Sequence, residues 1–150
     1  MIQMTSAPAE ILREAIKLLR HEGWIQLDYQ TPKGRCAVGA IGAAAGIILP
    51  RDCTEDNDKA DKDFAIAWVL HPAFREAVMT LCEIIIPSSA ELGLEHCEYV
   101  LDSIAMWNDE DRRRRAHVIA KLQKAATNLE KKLPVQEAIV ESVEKELVAV

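Results

Sequence analysis

The sequence predicts a mainly α fold: a single compact helical domain with one short extended β ribbon near residues 24–30. Two observations carry that expectation. Apolar residues recur at three- and four-residue spacing through most of the chain, whereas only "WIQLDYQ" alternates apolar and polar side chains. A chain of 150 residues has room for one domain with one core, and 49% hydrophobic with 28% charged residues matches a soluble globular protein.

From the N-terminus, Thr5, Ser6 and Pro8 signal a helix start, with proline suited to the first turn. Ile11, Leu12, Ala15, Ile16, Leu18 and Leu19 then form one helical face, and Gly23 is the expected stop. In "WIQLDYQ", Trp24, Gln26, Asp28 and Gln30 face one side and Ile25, Leu27 and Tyr29 the other, with "TPKG" as a turn. "CAVGAIGAAAG" reads as the central buried helix. Each glycine in a helix costs about 1 kcal/mol relative to alanine, so three of them predict close approach of neighbouring backbone.

Residues 50–63 read as an exposed acidic loop, with two helices after it broken at His71-Pro72. Pro87 ends the second, and Ser88 with Glu91 makes a capping box just beyond it. Leu94, Cys97, Leu101 and Ile104 define a helix ending at Trp107. "NDED" is the expected acidic start of the next, with Asn108 or Asp109 as its N-cap. Val118, Ile119, Leu122, Ala125, Ala126 and Leu129 form the apolar face of that helix. A division at residue 132 is expected, leaving residues 133–150 as a C-terminal amphipathic helix begun by Pro134, docked on the domain or on a partner.

Charge and composition exclude several classes. With 18 basic against 24 acidic residues the net charge is -6, which argues against a broad nucleic-acid surface. In "DRRRR" the arginines spread around a helix rather than forming one basic face: Arg113 and Arg114 should be solvated, and Arg115 should reach back to Asp109 or Asp111. No segment has the roughly 18 apolar residues of a membrane span, and "MIQMTSAPAE" lacks a signal-peptide pattern, so cytoplasmic residence is expected. Cys36, Cys53, Cys82 and Cys97 show no zinc-site spacing and read as buried thiols. Asp52, Thr54, Asp56 and Asp63 resemble a calcium loop, but Asn57 stands where the turn glycine belongs. No cofactor and no metal are expected, and there is no phosphate-binding or dinucleotide glycine motif.

Two places invite a functional reading. Cys36 opens a helix, where the dipole favours a thiolate, beside Arg35. Gln30 precedes it at a spacing similar to that between the oxyanion glutamine and the nucleophile in papain-like proteases. Catalysis also needs an oriented base. His21 and His117 fall on polar helix faces, His71 and His96 are less determined, and little strand signal follows residue 30. A packed structural thiol is therefore the preferred reading, with Cys36 and Asp109 the weak catalytic candidates. The second place is "WNDED". Trp107 is read as a core anchor, with a pocket shared by Trp24, Gln26, Asn108 and Asp109 as the alternative to simple capping.

Three separated pieces, "ILREAIKLLRHEGWIQ", "GRCAVGAIGAA" and "SIAMWNDEDRRRRAHVIAKLQKAA", resemble a family of small bacterial and bacteriophage proteins of unknown function. Its outline is a helix ending in Gly-Trp-x-Gln, a Cys-x-x-Gly-Ala helix start and a Trp-Asn-Asp turn. The resemblance covers roughly residues 9 to 127. It implies a compact helical cytosolic protein, in a phage or mobile-element setting, and brings no activity, substrate or cofactor. The expected function is a small non-enzymatic binding or accessory protein using Trp24, Gln26, Cys36, Trp107, Asn108 and Asp109. The alternatives are a Cys36-dependent hydrolase or transferase, and a module that binds a protein partner or a second copy through its C-terminal helix.

Overall fold

A computed structural model describes residues 7–54 and 57–148. Among the described residues, six α-helices and one ribbon make the domain: α1 (Pro8–Glu22), β1 (Gln30–Thr31), β2 (Gly34–Arg35), α2 (Ala37–Ala44), α3 (Asn57–Leu70), α4 (Pro72–Ile85), α5 (Cys97–Asn108) and α6 (Arg115–Val148). Short 3-10 turns at Pro87–Glu91 and Leu94–His96 join α4 to α5.

The amphipathic stripe of α1 fixes the centre of the packing. Ile11, Leu12, Ala15, Ile16 and Leu19 are all buried, and α1 packs against α2, α4 and α6. Full burial of each large aliphatic side chain contributes roughly 1.5–3 kcal/mol. Across the α1–α6 seam, Arg13 Nη2 donates to Thr127 Oγ1 at 3.2 Å and to Glu130 Oε1 at 2.6 Å. From α6, Val118, Leu122, Ala125 and Ala126 supply a fully buried face.

The glycine-rich helix α2 is buried from Ala37 to Gly42, as its composition predicts. A Cβ at Gly39 would collide with the Tyr29 carbonyl oxygen, so one backbone does pass directly over another. At Gly42 the close neighbour is the Phe64 ring instead. Gly46 contacts nothing that a Cβ would meet, and its φ of 93° makes it a conformational glycine past the helix end, not part of the seam.

Several boundaries differ from those the sequence predicts. The ribbon begins where the predicted one ends: Gln30 pairs with Arg35 and Thr31 with Gly34, around the Pro32-Lys33 turn. Upstream, Trp24 bridges Arg35 and residues 26–29 bend, with Leu27 at φ 76°. Ile25 N still bonds the Arg35 carbonyl, but beyond it the Gln26 side chain and Leu27 N are drawn to residues 108–110, and the alternation ends there. The acidic loop is shorter than residues 50–63. Helix α3 starts at Asn57 and buries Ala60, Phe64, Ala67 and Trp68, a narrow stripe diluted by Asp61, Lys62 and Asp63. In the calcium-like segment, Asp52 Oδ1 accepts from Thr54 N and Oγ1, an ordinary turn; Asp56 lies outside the described residues.

His71-Pro72 does break α3 from α4, and His71 Nδ1 accepts from Phe74 N at 3.1 Å as the cap. The expected Ser88–Glu91 capping box does not form: Pro87–Glu91 is a 3-10 turn without a side-chain cap, and its Ser89 is buried. Nor do Asn108 and Asp109 cap α6. Asn108 is the last residue of α5, and α6 starts at Arg115, where His117 Nδ1 accepts from Arg114 N. Arg113 is not solvated, since its guanidinium lies 4.4 Å from the Trp107 ring centroid, whereas Arg115 is exposed.

Residues 115–148 form one helix rather than two. Pro134 has no N–H for the residue 130 carbonyl, a loss of about 3 kcal/mol in a helix interior. Among the described residues no helix is long and apolar enough to cross a membrane.

Candidate functional site

The last turn of α5 builds the site from Asn108, which is fully buried. Its Oδ1 accepts from Trp24 Nε1 at 2.8 Å and from Ala37 N at 3.0 Å. Its Nδ2 donates to the Ile25 carbonyl at 3.1 Å. Ala37 N belongs to the first turn of α2, whose N–H groups have no partner within the helix. One amide therefore ties the loop after α1 and the start of α2 to the end of α5.

Two neighbours extend the clasp. Gln26 Nε2 donates to the carbonyls of Asn108 and Glu110, each at 3.0 Å. Leu27 N donates to Asp109 Oδ1 at 2.8 Å. Trp107 faces elsewhere, 8% exposed and stacked under Arg113, whose Nε donates to the Trp107 carbonyl at 3.0 Å.

Cys36 is the N-cap of α2, and its Sγ accepts from Gly39 N at 3.4 Å. Only 4% exposed, the thiol is pushed up from 9.0 to about 12 by burial; the Gly39 bond opposes this and the Asp109 charge adds to it. The helix start therefore fails to activate it, because the desolvation of a thiolate outweighs the dipole. Its sequence neighbours are engaged elsewhere. Arg35 pairs with Glu22 and donates through Nε to Gln30 Oε1 at 2.7 Å, while Gln30 Nε2 donates to the Pro50 carbonyl at 3.0 Å. His71, His96 and His117 each accept a backbone N–H through Nδ1.

Beside Cys36 lies a cavity of about 230 Å³, lined by Leu27, Asp28, Tyr29, Cys36, Asn57, Asp61, Asp102, Ala105 and Asp109. Its lining holds four carboxylates and no Lys, Arg or His. Tyr29 OH donates to Asp61 Oδ1, and its ring meets Phe64 edge-on at 4.8 Å. Burial, followed by the bond to Asp61 and the Asp61 charge, raises the Tyr29 phenol above its ordinary range. Asp102 is also raised, by partial burial first and then by the charges of Glu98 and Asp61. None of the four aspartates is in an ion pair among the described residues.

Of the six residues singled out from the sequence, Cys36 and Asp109 reach this cavity. Trp24, Gln26 and Asn108 hold its wall, and Trp107 packs away from it. Sequence reasoning missed Asp28, Tyr29, Asn57, Asp61 and Asp102. They come from a loop and two helices and share no motif; the one available signal was that Asp102 interrupts the otherwise apolar run of α5, whereas Asp61 is hidden in a charged run.

The buried thiol has consequences for labelling and for stability. In the native protein, iodoacetamide near neutral pH should label Cys97, the only partly exposed cysteine, and leave Cys36 and Cys82 unlabelled until unfolding, as read by peptide mass spectrometry. Labelling of Cys36 at the rate of Cys97 would contradict its burial. Alkali should also destabilise the fold. A thiol whose native value is raised supports the folded state below about 9.0, and that support is lost as pH rises towards about 12, at a limiting slope of about 1.4 kcal/mol per pH unit. Tyr29 adds to the loss above its ordinary 10.0. Urea midpoints at several pH values should fall across this window and fall less steeply in Cys36→Ala.

No curated protein matches the chain, and no solved structure does. A family model, described as a family of unknown function (DUF6197), matches residues 4–128. That match takes in α1 through the buried half of α6, with the Asn108 clasp and the whole cavity, and the chain belongs to this family of unknown function.

Proposed function

We propose that the protein is a non-enzymatic binding protein whose ligand seat is the cavity beside Cys36, and that the ligand is an organic cation. The carrying observation is the lining: Asp28, Asp61, Asp102 and Asp109 surround the space with no basic side chain among them. Carboxylates held together without counter-charges repel one another, and a bound cation relieves that repulsion. The thiol at the cavity edge is buried, capped and raised to about 12, which supports binding over the Cys36-dependent hydrolase or transferase reading. Buried thiols at Cys36 and Cys82 support a reducing, cytoplasmic workplace.

Calorimetric titration with propylammonium at low ionic strength tests the reading. Saturable binding should appear, weakened at least tenfold in Asp102→Asn, a variant that removes charge without breaking a hydrogen bond recorded in the structure. An absence of binding would remove the proposal.

A second reading rests on the far end of α6. Ile139, Val143 and Leu147 recur every four residues there and are 58%, 50% and 72% exposed, a stripe suited to a protein partner or a second copy. Removal of residues 133–150 should then reduce the number of copies per particle found by light scattering, or abolish capture of a partner, while thermal unfolding of the domain stays within a few degrees. An unchanged number of copies and unchanged capture would end this reading.

A further inference from the structure

The net charge of -6 is unevenly distributed along the chain. Residues 112–132 hold eight basic side chains against one acidic, whereas the remaining residues hold ten against 23. That basic segment is the first half of α6 with the turn ahead of it, and α6 packs chiefly on α1 and α4. The carboxylate cavity lies elsewhere, between the loop, α3 and α5.

Helix geometry sorts these charges. Val118, Ile119, Leu122, Ala125, Ala126 and Leu129 face the core. On the opposite side His117, Lys121, Lys124, Asn128 and Lys131 follow one another at four- and three-residue spacing, a line about 21 Å long at the helical rise. His117, Lys124 and Lys131 are exposed, and Lys121 and Asn128 half-buried. His117 Nδ1 accepts from Arg114 N, which sets exposed Arg114 beside the line and leaves the other ring nitrogen as a surface donor. Among the described residues none of Arg114, Lys121, Lys124 and Lys131 is in an ion pair. The one acid within the segment, Glu130, is taken by Arg13 on the α1 side. Asp111 precedes the line in sequence, and Glu83 is the one acidic residue in the cavity that Asn128, Lys131 and Lys132 share with α4.

The composition of the line selects its partner. Among the described residues, no large apolar side chain between 112 and 132 is exposed. A membrane-surface helix needs apolar side chains to insert, and a protein interface needs apolar or aromatic anchors. Phosphates need neither, because cations that release condensed counterions supply the affinity themselves. No Trp, Tyr or Phe is present in the segment for base stacking, which favours a duplex over a single strand. The major groove of duplex DNA is wide enough to receive a helix, whereas that of duplex RNA is too narrow. We infer that this side of α6 is a docking surface for the phosphate backbone of a DNA duplex, held by Arg114, Lys121, Lys124 and Lys131, with His117 and Asn128 as further donors. Contacts to phosphate position the duplex without reading its sequence. Charges more than roughly 8 Å away are largely screened at physiological salt, so the acidic remainder of the surface opposes docking less than the net charge implies. The surface is separate from the cavity beside Cys36, and neither reading depends on the other.

The test is fluorescence anisotropy of a labelled DNA duplex of about 20 base pairs, titrated with the full chain between about 25 and 200 mM NaCl. Roughly micromolar binding is expected at the lowest salt. The logarithm of the association constant should fall with that of the salt concentration at a slope of about -3 to -4, as four phosphate contacts require. Substituting Lys121→Gln, Lys124→Gln and Lys131→Gln together, with folding checked by circular dichroism, should weaken binding at least about tenfold and flatten the slope to about -1. Lys33→Gln, in the exposed turn between β1 and β2, should change neither. An absence of binding at about 25 mM NaCl would overturn the inference, and so would binding that the triple variant retains in full. An RNA duplex of the same sequence, or phosphatidylserine vesicles, bound as tightly as the DNA would overturn it as well.

Discussion

Asn108→Ala is expected to lower the unfolding free energy by about 3–4 kcal/mol, among the largest losses available to a single substitution in this protein. The reason lies in the polar groups that it serves. Ala37 N, Trp24 Nε1 and the Ile25 carbonyl all depend on the one amide, and its removal leaves the α2 donor buried and empty. Each buried polar group left without a partner costs about 1–3 kcal/mol. Trp24→Phe gives the internal comparison. It removes one donor while Asn108 Oδ1 keeps Ala37 N, so about 1 kcal/mol should be lost. Asn108→Asp should be nearly as damaging as alanine, because the Nδ2 position would become an oxygen facing the Ile25 carbonyl and Asp109 Oδ1. Urea denaturation measures all three; an Asn108→Ala midpoint indistinguishable from the wild type would mean that the clasp does not hold these elements together.

Gly39→Ala should cost about 3 kcal/mol, despite the helix propensity of about 1 kcal/mol that alanine ordinarily brings. The added methyl meets the Tyr29 main chain, which cannot rotate aside. Moving it breaks the bond from Cys36 N to the Tyr29 carbonyl, 3.2 Å long, and displaces the phenol from Asp61. Cation affinity should therefore fall along with stability. Gly42→Ala is the control with a softer neighbour. Its methyl meets the fully buried Phe64 ring, a side chain rather than main chain, so about 1–2 kcal/mol is expected and the loss of cation affinity should be smaller than in Gly39→Ala. If the two substitutions proved equally mild, the close backbone crossing would be absent in solution.

The sequence was most legible where a single element decides the outcome. The α1 stripe, the break at His71-Pro72 and the buried small-residue helix are each written in local spacing. The α3 start was harder to read, because Asp58, Asp61, Lys62 and Asp63 dominate its composition while only Ala60 and Phe64 mark its buried side in that half. "WIQLDYQ" misled in the opposite direction. Its alternation is that of a strand, yet Gln26 and Leu27 direct their hydrogen bonds to Asn108, Asp109 and Glu110, far along the chain. A local pattern cannot report partners separated by 80 or so residues.

Asn108 illustrates the division most clearly. Next to a polar run and ahead of a helix, it reads as a local N-cap. In the fold it does cap a helix, but the helix is α2 and the residue is supplied from α5. The chemistry of the side chain was legible, and its address was not. The cavity shares this property, since Asp28, Asp61, Asp102 and Asp109 become neighbours only when the loop, α3 and α5 pack together.

By itself, then, the sequence determined which segments coil into helices and which faces they bury, because backbone propensity and the spacing of apolar side chains act over a few residues. The burial of Cys36 was the preferred reading of the sequence too, but the tertiary structure alone decided how far burial raises its thiol, that one buried amide joins three elements, and that carboxylates from distant segments surround a common space. Desolvation and charge repulsion depend on separation in space, which the order of residues along the chain does not specify.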